Sequence, residues 1–582
     1  MIDDIDRPSR NIEKHLRERP DKFTGLRNYI FSRCLIAAVT SLSFFACGCS
    51  SHRKPSDNRS GHLARRIIRR GLDGEPATLD PAKATDSFSF EVLRDVYEGL
   101  TTESPTGEII PGIAESWRVN STNTKYTFRI RPDARWSNGL PVTPQEFVTA
   151  WRRVVDPKTG SPVADALRPI ANAPEIIAGH LPPSRLGVHA IGRSQLQIIL
   201  SEPCPYFLQL LTHTALFPVY STSSAKSHSP DTWVSDGAYR LGNWVPGEQI
   251  SLERNRFYWD RTHVLTRNIE YVFTPDEGAA LREFLAGQLD ITDSVPLSAL
   301  GWVKRHKAAE LHVWPFLGVA YYAVNLHDPR IRMNLKLREA MAMAIDRKIL
   351  ISRVLRFGQI PAYSFVPPGT WNYTPQPWNW KSLSNLERIT LARKLFREAG
   401  YSPDHPLKLR LLINTNSTIK ETAIAIAAMW QSVLGIQTEI NEQEYRVFLQ
   451  SRRDPTQWDI ARLGWTADYD DASDFLDIFR QHSPNNDPGY ANSAFTDLMN
   501  LATHTSNVTT RRRILEAAER MMLSDYPVIP IYFYASDRLV KPYIGGFHPT
   551  KMNRLYSRYL YFRKRTSSSE QTHETPTTEQ AQ

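Results

Sequence analysis

The stretch Glu421–Ile440, ETAIAIAAMWQSVLGIQTEI, holds a helix, its stop signal and the opening of a strand. Glu421 to Leu434 reads as a helix that ends at Gly435, a residue suited to the left-handed turn after a last helical turn. Gln437 to Ile440 then reads as a strand. The same alternation recurs on both sides. Leu391 and Leu395 lie on another helix, closed by Gly400, and Leu337, Met341, Ala344 and Ile345 recur at helical spacing. Upstream, Tyr126, Phe128 and Ile130 alternate as in a half-buried strand, and Ile250 and Leu252 do likewise. Helix and strand signals alternating over this length indicate α/β domains. No internal repeat is apparent.

The chain has 582 residues, 41% of them hydrophobic and 23% charged, which excludes a disordered, collagen-like or polytopic membrane protein and leaves room for two or three domains. The formal charge is +10, but it is concentrated. Ser50 to Gly71 carries seven Lys/Arg (Arg53, Lys54, Arg59, Arg65, Arg66, Arg69, Arg70) against the single acid Asp57. Met1 to Arg33 carries eight bases against six acids, so the remainder is nearly neutral. A basic segment beside a membrane anchor fits this better than a nucleic-acid stripe. Of the four cysteines, Cys34, Cys47 and Cys49 lie in or beside one apolar run and Cys204 stands alone, so neither a disulfide framework nor a zinc cluster can be built.

That apolar run, Cys34 to Cys47, follows Arg27 and Arg33 and is too short to span a bilayer. A basic flank, a short apolar core and small residues at its end describe a signal peptide. The ending Ala46-Cys47-Gly48-Cys49-Ser50-Ser51 resembles a bacterial lipoprotein signal, with Cys49 the first choice for acylation and Cys47 the second. Residues 1–49 are thus an N-terminal extension and signal, 50–67 a basic tether, and 566–582 a Ser/Thr/Glu/Gln-rich tail expected to be disordered.

The body carries many short motifs in one order: EPATLDP (Glu75–Pro81), YEGL (Tyr97–Leu100), PGIAESW (Pro111–Trp117), YTF (Tyr126–Phe128), WSNGLPVT (Trp136–Thr143) and FVTAWRRVVDPKTGSP (Phe147–Pro162). DGAY (Asp236–Tyr239), LERN (Leu252–Asn255), REA (Arg338–Ala340), AIDR (Ala344–Arg347) and GWTADY (Gly464–Tyr469) follow. From about Arg69 to Tyr561 the chain resembles the extracytoplasmic solute-binding proteins, family 5, in the oligopeptide-binding branch of peptide ABC importers.

The resemblance implies a two-lobed periplasmic-binding-protein fold of type II, enlarged by an extra domain, with a hinge of two crossing segments. Lobe I would comprise 68–98, 217–317 and 538–565, the additional domain 99–216, and lobe II 318–537. The lobes would close over an extended peptide. Most motif residues are expected to be structural: Trp117, Trp136 and Trp151 in core or turns, Asn138-Gly139 as a hairpin turn, Asp80-Pro81 as a loop, and Arg152 and Arg153 as solvated helix charges.

The resemblance also assigns the ligand-binding residues. Asp468 would pair with the peptide's α-ammonium, a group costly to bury alone; its alternative is a helix cap or loop aspartate. Gly464 and Thr466 would lie along the ligand backbone, which an added-strand mode recognises without regard to side chains. For Gly464 the other reading is a turn requirement. Arg462 either meets the carboxylate end of a short peptide or pairs internally with an acid such as Asp459. Tyr445 stands where relatives carry a stacking tryptophan, and is either a ligand contact or core. Val163, Thr85 and Ile419 depart from the family pattern at or near positions that face the ligand in relatives, and Ala472 replaces a proline common after the Ala-Asp-Tyr motif.

No signal for an enzyme is found: there is no His-Glu-x-x-His, Gly-x-Ser-x-Gly, Gly-x-x-x-x-Gly-Lys-Ser/Thr or Cys-x-x-Cys, and nothing pairs two carboxylates as a glycosidase cleft would require. No cofactor and no metal are expected. The same fold also serves murein peptides, dipeptides, metals, haem or sugars, and roles in sensing or cell-wall recycling. Ala467-Asp468-Tyr469 favours the oligopeptide branch over the dipeptide branch, whose segment usually reads Gly-Asp-Asn. The expected partners are oligopeptides, a membrane permease and separate ATPase subunits. No nucleic acid is expected, and the receptor is taken as a monomer, periplasmic and held to the membrane by its lipid.

Overall fold

The computed structural model describes residues 67–220, 233–402 and 405–563. The lipidation site at Cys49 or Cys47, all of the tether but Ile67, and the C-terminal tail lie outside them.

Strand β1 (Ile67–Leu72) opens the body. A helix, Ser87–Val96, follows it, started by Asp86, whose carboxylate accepts the N–H of Ser89. β2 (Thr101–Glu103) and β3 (Ile109–Pro111) form a hairpin. β4 (Ala114–Val119), β5 (Lys125–Ile130), β6 (Val188–Ile191) and β7 (Gln195–Ile199) form an antiparallel sheet in the order β4-β5-β7-β6. Tyr126, Phe128 and Ile130 point into the core from β5, as their alternation requires. Trp136 and Trp151 are fully buried, and Trp117 is half-buried against Phe128. Asn138-Gly139 is a tight turn with Gly139 at φ +90°, but a single bridge between Arg135 and Pro141 flanks it rather than two strands.

β8 (Tyr239–Val245), β9 (Gln249–Arg254) and β10 (Asn268–Phe273) join β1 in the order β1-β10-β9-β8. Ile250 and Leu252 are buried there. The third sheet holds β11 (Leu311–Val324), β12 (Ile360–Pro361), β13 (Lys408–Asn414), β14 (Gln437–Gln443), β15 (Ile460–Thr466) and β16 (Val528–Leu539). Its order is β12-β16-β11-β15-β13-β14. The opening stretch of sequence folds as read, with two extensions. The helix spans Ser417–Leu434, four residues longer at its start because the Asn416 side chain accepts the N–H of Ile419. Gly435 closes it at φ +75°, and β14 continues to Gln443.

Two large cores result. One gathers residues between Ile68 and Ile291 with Val540–Leu560; the other runs from Leu317 to Phe533 and adds Met552. Helix Leu335–Ala344 buries Leu337, Met341 and Ala344, with Ile345 just beyond it, in the second core. β11 and β16 pass between the two halves as an antiparallel pair. Their register breaks between Pro315 and Val319.

Arg153 is not a solvated helix charge. Its guanidinium grips the buried Asp80 with two hydrogen bonds, one of 2.8 Å, which replace most of the water that carboxylate would otherwise hold. Arg152 donates to the Ser184 carbonyl at 3.1 Å.

A buried charge network ties β16 to the first core. Glu91 accepts from Arg70 of β1 and, at 2.7 Å, from Arg538 of β16; Arg538 also reaches Asp293 at 2.8 Å. Burial pushes the Glu91 carboxyl up, but Arg538 and Arg70 outweigh it and hold it below its ordinary value. Removing one member of such a pair strands the rest. Glu91→Ala is expected to cost about 3–5 kcal/mol, read as a lowered denaturant midpoint. An unchanged midpoint would show that the arginines find other partners.

Candidate functional site

β13 runs parallel to both β14 and β15, so the loops after Asn414, Gln443 and Thr466 leave the sheet at one edge. In open α/β sheets ligands bind outside such carboxyl ends. Gly318 of β11 is paired with Thr466, which brings the crossing point of the two halves to the same edge.

β15 is paired unequally. On one side β11 covers it throughout, from Ile460 to Thr466. On the other, β13 pairs with only Ile460 and Ala461. Among the described residues, no strand pairs with Arg462 to Thr466 on that side.

Arg462, Gly464 and Thr466 share one face of β15, by the two-residue period of a strand. Arg462 donates to the Tyr534 hydroxyl at 3.0 Å. It does not pair with Asp459, which is held by Arg410 at 3.2 Å and approached by Arg330 at 3.6 Å. Burial opposes the Arg462 charge, while Tyr534 and Tyr532 favour it and raise its pKa. Gly464 is in a strand rather than a turn, so the turn requirement is overturned. A Cβ there would run into the Tyr534 hydroxyl, and glycine is needed for that close approach.

Asp468 stands just past the strand. Its backbone N–H donates to Asp474 Oδ2 at 3.3 Å, and Trp465 Nε1 donates to the same oxygen at 2.9 Å. Its own carboxylate has no hydrogen bond and no cation within 4.0 Å among the described residues. It caps no helix, since Asp471 caps Ala472–Leu476. The residue is open to solvent, yet protein surrounds it closely enough that desolvation raises its pKa, against the pull of Arg554. Asp474 beneath it is buried and pushed far up, by burial and then by Asp468.

The loop is held from three directions. Tyr469 stacks on Tyr206 at 4.2 Å, with ring planes 8° apart. Arg511 holds Asp471 with two bonds, of 2.7 and 2.9 Å. Arg554, itself bonded to Glu103 at 2.9 Å and Thr212 at 2.6 Å, donates to the Asp468 carbonyl at 3.2 Å. Arg554, Tyr206 and Tyr534 lie in no motif singled out by sequence, and nothing local marks them.

Tyr445 begins the helix Tyr445–Ser451 just after β14, at the same edge, and is 56% exposed, so it is not core. Of the departing positions, Ile419 and Ala472 are buried, Val163 is half-buried and Thr85 is exposed. Among the described residues no cluster of three His, Cys, Asp or Glu could hold a metal ion, and no helix is long and apolar enough to cross a membrane.

The close approach at Gly464 is testable apart from any ligand. Gly464→Ala is expected to destabilise the protein by about 1–3 kcal/mol through overpacking. Tyr534→Phe in that background should recover part of the loss. A melting temperature unchanged by Gly464→Ala would contradict the packing described.

Residues 108–487 match the family model for bacterial extracellular solute-binding proteins, family 5 Middle. The chain is 36% identical over 506 residues to the periplasmic murein peptide-binding protein MppA of Escherichia coli strain K12, covering 85% of this chain and 93% of that one. It is 35% identical over 510 residues to the periplasmic oligopeptide-binding protein OppA of Salmonella typhimurium, covering 86% and 93%. The crystal structure of Haemophilus influenzae OppA in complex with the peptide RPPGFSPFR superposes with a TM-score of 0.73 at 32% identity, covering 86% of this chain and 99% of that one. With the two halves joined by β11 and β16, the fold is the two-lobed α/β periplasmic-binding-protein fold, and the chain belongs to the family 5 extracellular solute-binding proteins, a family of substrate-binding receptors.

Proposed function

We propose that the protein is an extracytoplasmic receptor that captures oligopeptides and hands them to an ABC importer. The observation that carries this is β15: half of one edge open, and an unpaired carboxylate at its end. An extended peptide laid along Arg462–Thr466 would satisfy main-chain groups on both sides, as an added strand. Such recognition tolerates many sequences. Asp468 would take the α-ammonium group and set the register. Arg462, flanked by tyrosines rather than acids, would meet the carboxylate of a short ligand. Thr466 and Gly464 would border the ligand backbone, and Tyr445 would offer an aromatic face farther along the edge.

Lobe I would comprise 68–98, 217–317 and 538–565, the additional domain 99–216 and lobe II 318–537, hinged at β11 and β16. The receptor would act in the periplasm as a lipid-anchored monomer, through Cys49 or Cys47. It has no phosphate-binding loop, so ATP hydrolysis would fall to separate subunits docked on the permease. The function is capture, not chemistry. The similarity to a murein peptide-binding protein supports a second ligand class for the same site, the murein peptides. Competition between a murein tripeptide and alanine tripeptides separates the two.

Asp468→Asn is expected to weaken binding of a mixed tri- to pentapeptide pool by about 100-fold or more, since it leaves a buried ammonium unpaired. Affinity within about threefold of wild type would overturn the assignment. The pH dependence has a definite sign. Binding needs the ionised carboxylate, and the Asp468 pKa is raised by burial. Affinity should therefore be full above that raised pKa and fall with acidification sooner than an ordinary aspartate, near about 3.9, would allow. Calorimetric titrations across acid pH check it.

A further inference from the structure

A cavity of about 380 Å³ flanks the Asp468 loop. Five parts of the chain wall it: the β2–β3 hairpin, the stretch Pro205–Thr212, Trp371, the loop carrying Tyr469 and Asp470, and the stretch Lys551–Arg554. Its lining is mixed: Trp371 and Tyr469 beside Leu208 and Met552 give it apolar and aromatic walls, and Thr106, Gln209 and Thr212 add neutral polar groups. Five charged residues also reach it, and four cancel. Arg554 is bonded to the buried Glu103 at 2.9 Å, and Lys551 is paired with Asp470. Glu108 is left over: its side chain is exposed and makes no salt bridge among the described residues. Its backbone is fixed at the hairpin, where its N–H donates to Ser104 Oγ at 3.1 Å and its carbonyl accepts from the Ser104 N–H at 2.9 Å.

Apolar, aromatic walls with one surplus carboxylate match a side chain with a long aliphatic stem and a cationic head. The stem packs on the walls, and the head meets both the carboxylate and the ring faces. We infer that this cavity receives the side chain of the ligand's first residue and selects lysine or arginine there, with Glu108 as the specificity-determining group. The inference rests on the reading that Asp468 holds the ligand's α-ammonium. The first side chain then departs next to Tyr469 and Asp470, the residues that follow Asp468 and line the cavity. An acidic side chain would face Glu108 and Asp468 with like charge, and Arg554 and Lys551 are already neutralised.

The test is calorimetric titration of three tripeptides that differ only at the first residue: Lys-Ala-Ala, Met-Ala-Ala and Glu-Ala-Ala. Wild type and Glu108→Gln are compared at one salt concentration. In wild type the lysine peptide is expected to bind about tenfold tighter than the methionine peptide, and the glutamate peptide weakest. In Glu108→Gln the lysine-to-methionine ratio should fall to near one. Equal affinities in wild type, or a lysine preference that survives Glu108→Gln, would overturn the inference while leaving peptide capture intact. Failure of all three to bind would overturn the peptide-receptor reading with it.

Discussion

Tyr534 sits where β16 leaves one half of the molecule for the other, and its surroundings explain why the two halves meet as they do. Its ring stacks on Phe316 at 5.6 Å with planes 6° apart. Side chains at residues 318 and 464 would collide with it, so both positions are glycine. Its hydroxyl accepts from Arg462. Pro315, which has no N–H to give to the ladder, stands at the edge of the register break. A strand pair short of a donor and interrupted in register is a natural place to bend. The same tyrosine borders the face of β15 on which the ligand is proposed to lie. The crossing of the two halves and that face of β15 thus share one side chain.

Charge is handled in two different ways across the molecule. Beside the first core, Arg70, Glu91, Arg538 and Asp293 are buried together, and each finds an opposite partner. In the loop after β15, Asp470 and Asp471 each have a cation and Asp474 just beyond it accepts two N–H groups, while the Asp468 carboxylate has neither among the described residues. An unpaired carboxylate in a partly desolvated position is costly unless something arrives to pair with it. The surrounding supports fix the Asp468 backbone and leave its side chain unused, as a preorganised recognition group should be.

Much of the scaffold was legible because its signals are local. Gly435 marks a helix end through backbone geometry, and the alternation of Tyr126, Phe128 and Ile130 needs no knowledge of distant residues; the Asn416 cap at the start of the same helix was not read. The family could be read from motifs that run in one order. Long-range pairing was not legible. Nothing near Arg153 announces Asp80, 73 residues away, and nothing near Arg462 announces Tyr534, 72 residues away. The turn offered as the alternative reading of Gly464 fails for the same reason: the glycine lies in a strand and makes room for a ring from another strand. Arg554, which bridges Glu103, Thr212 and the Asp468 carbonyl, has no sequence signal, since its role exists only after three segments meet.

The central claim is that the receptor recognises a free peptide amine at Asp468. It is tested most directly by the heat of binding of a tri- to pentapeptide pool, titrated once with free amino termini and once after N-acetylation, on protein stripped of any bound peptide. Acetylation removes the positive charge and leaves the peptide main chain in place. The account requires strong binding of the free pool and its loss on acetylation. Equal binding of both pools would contradict it.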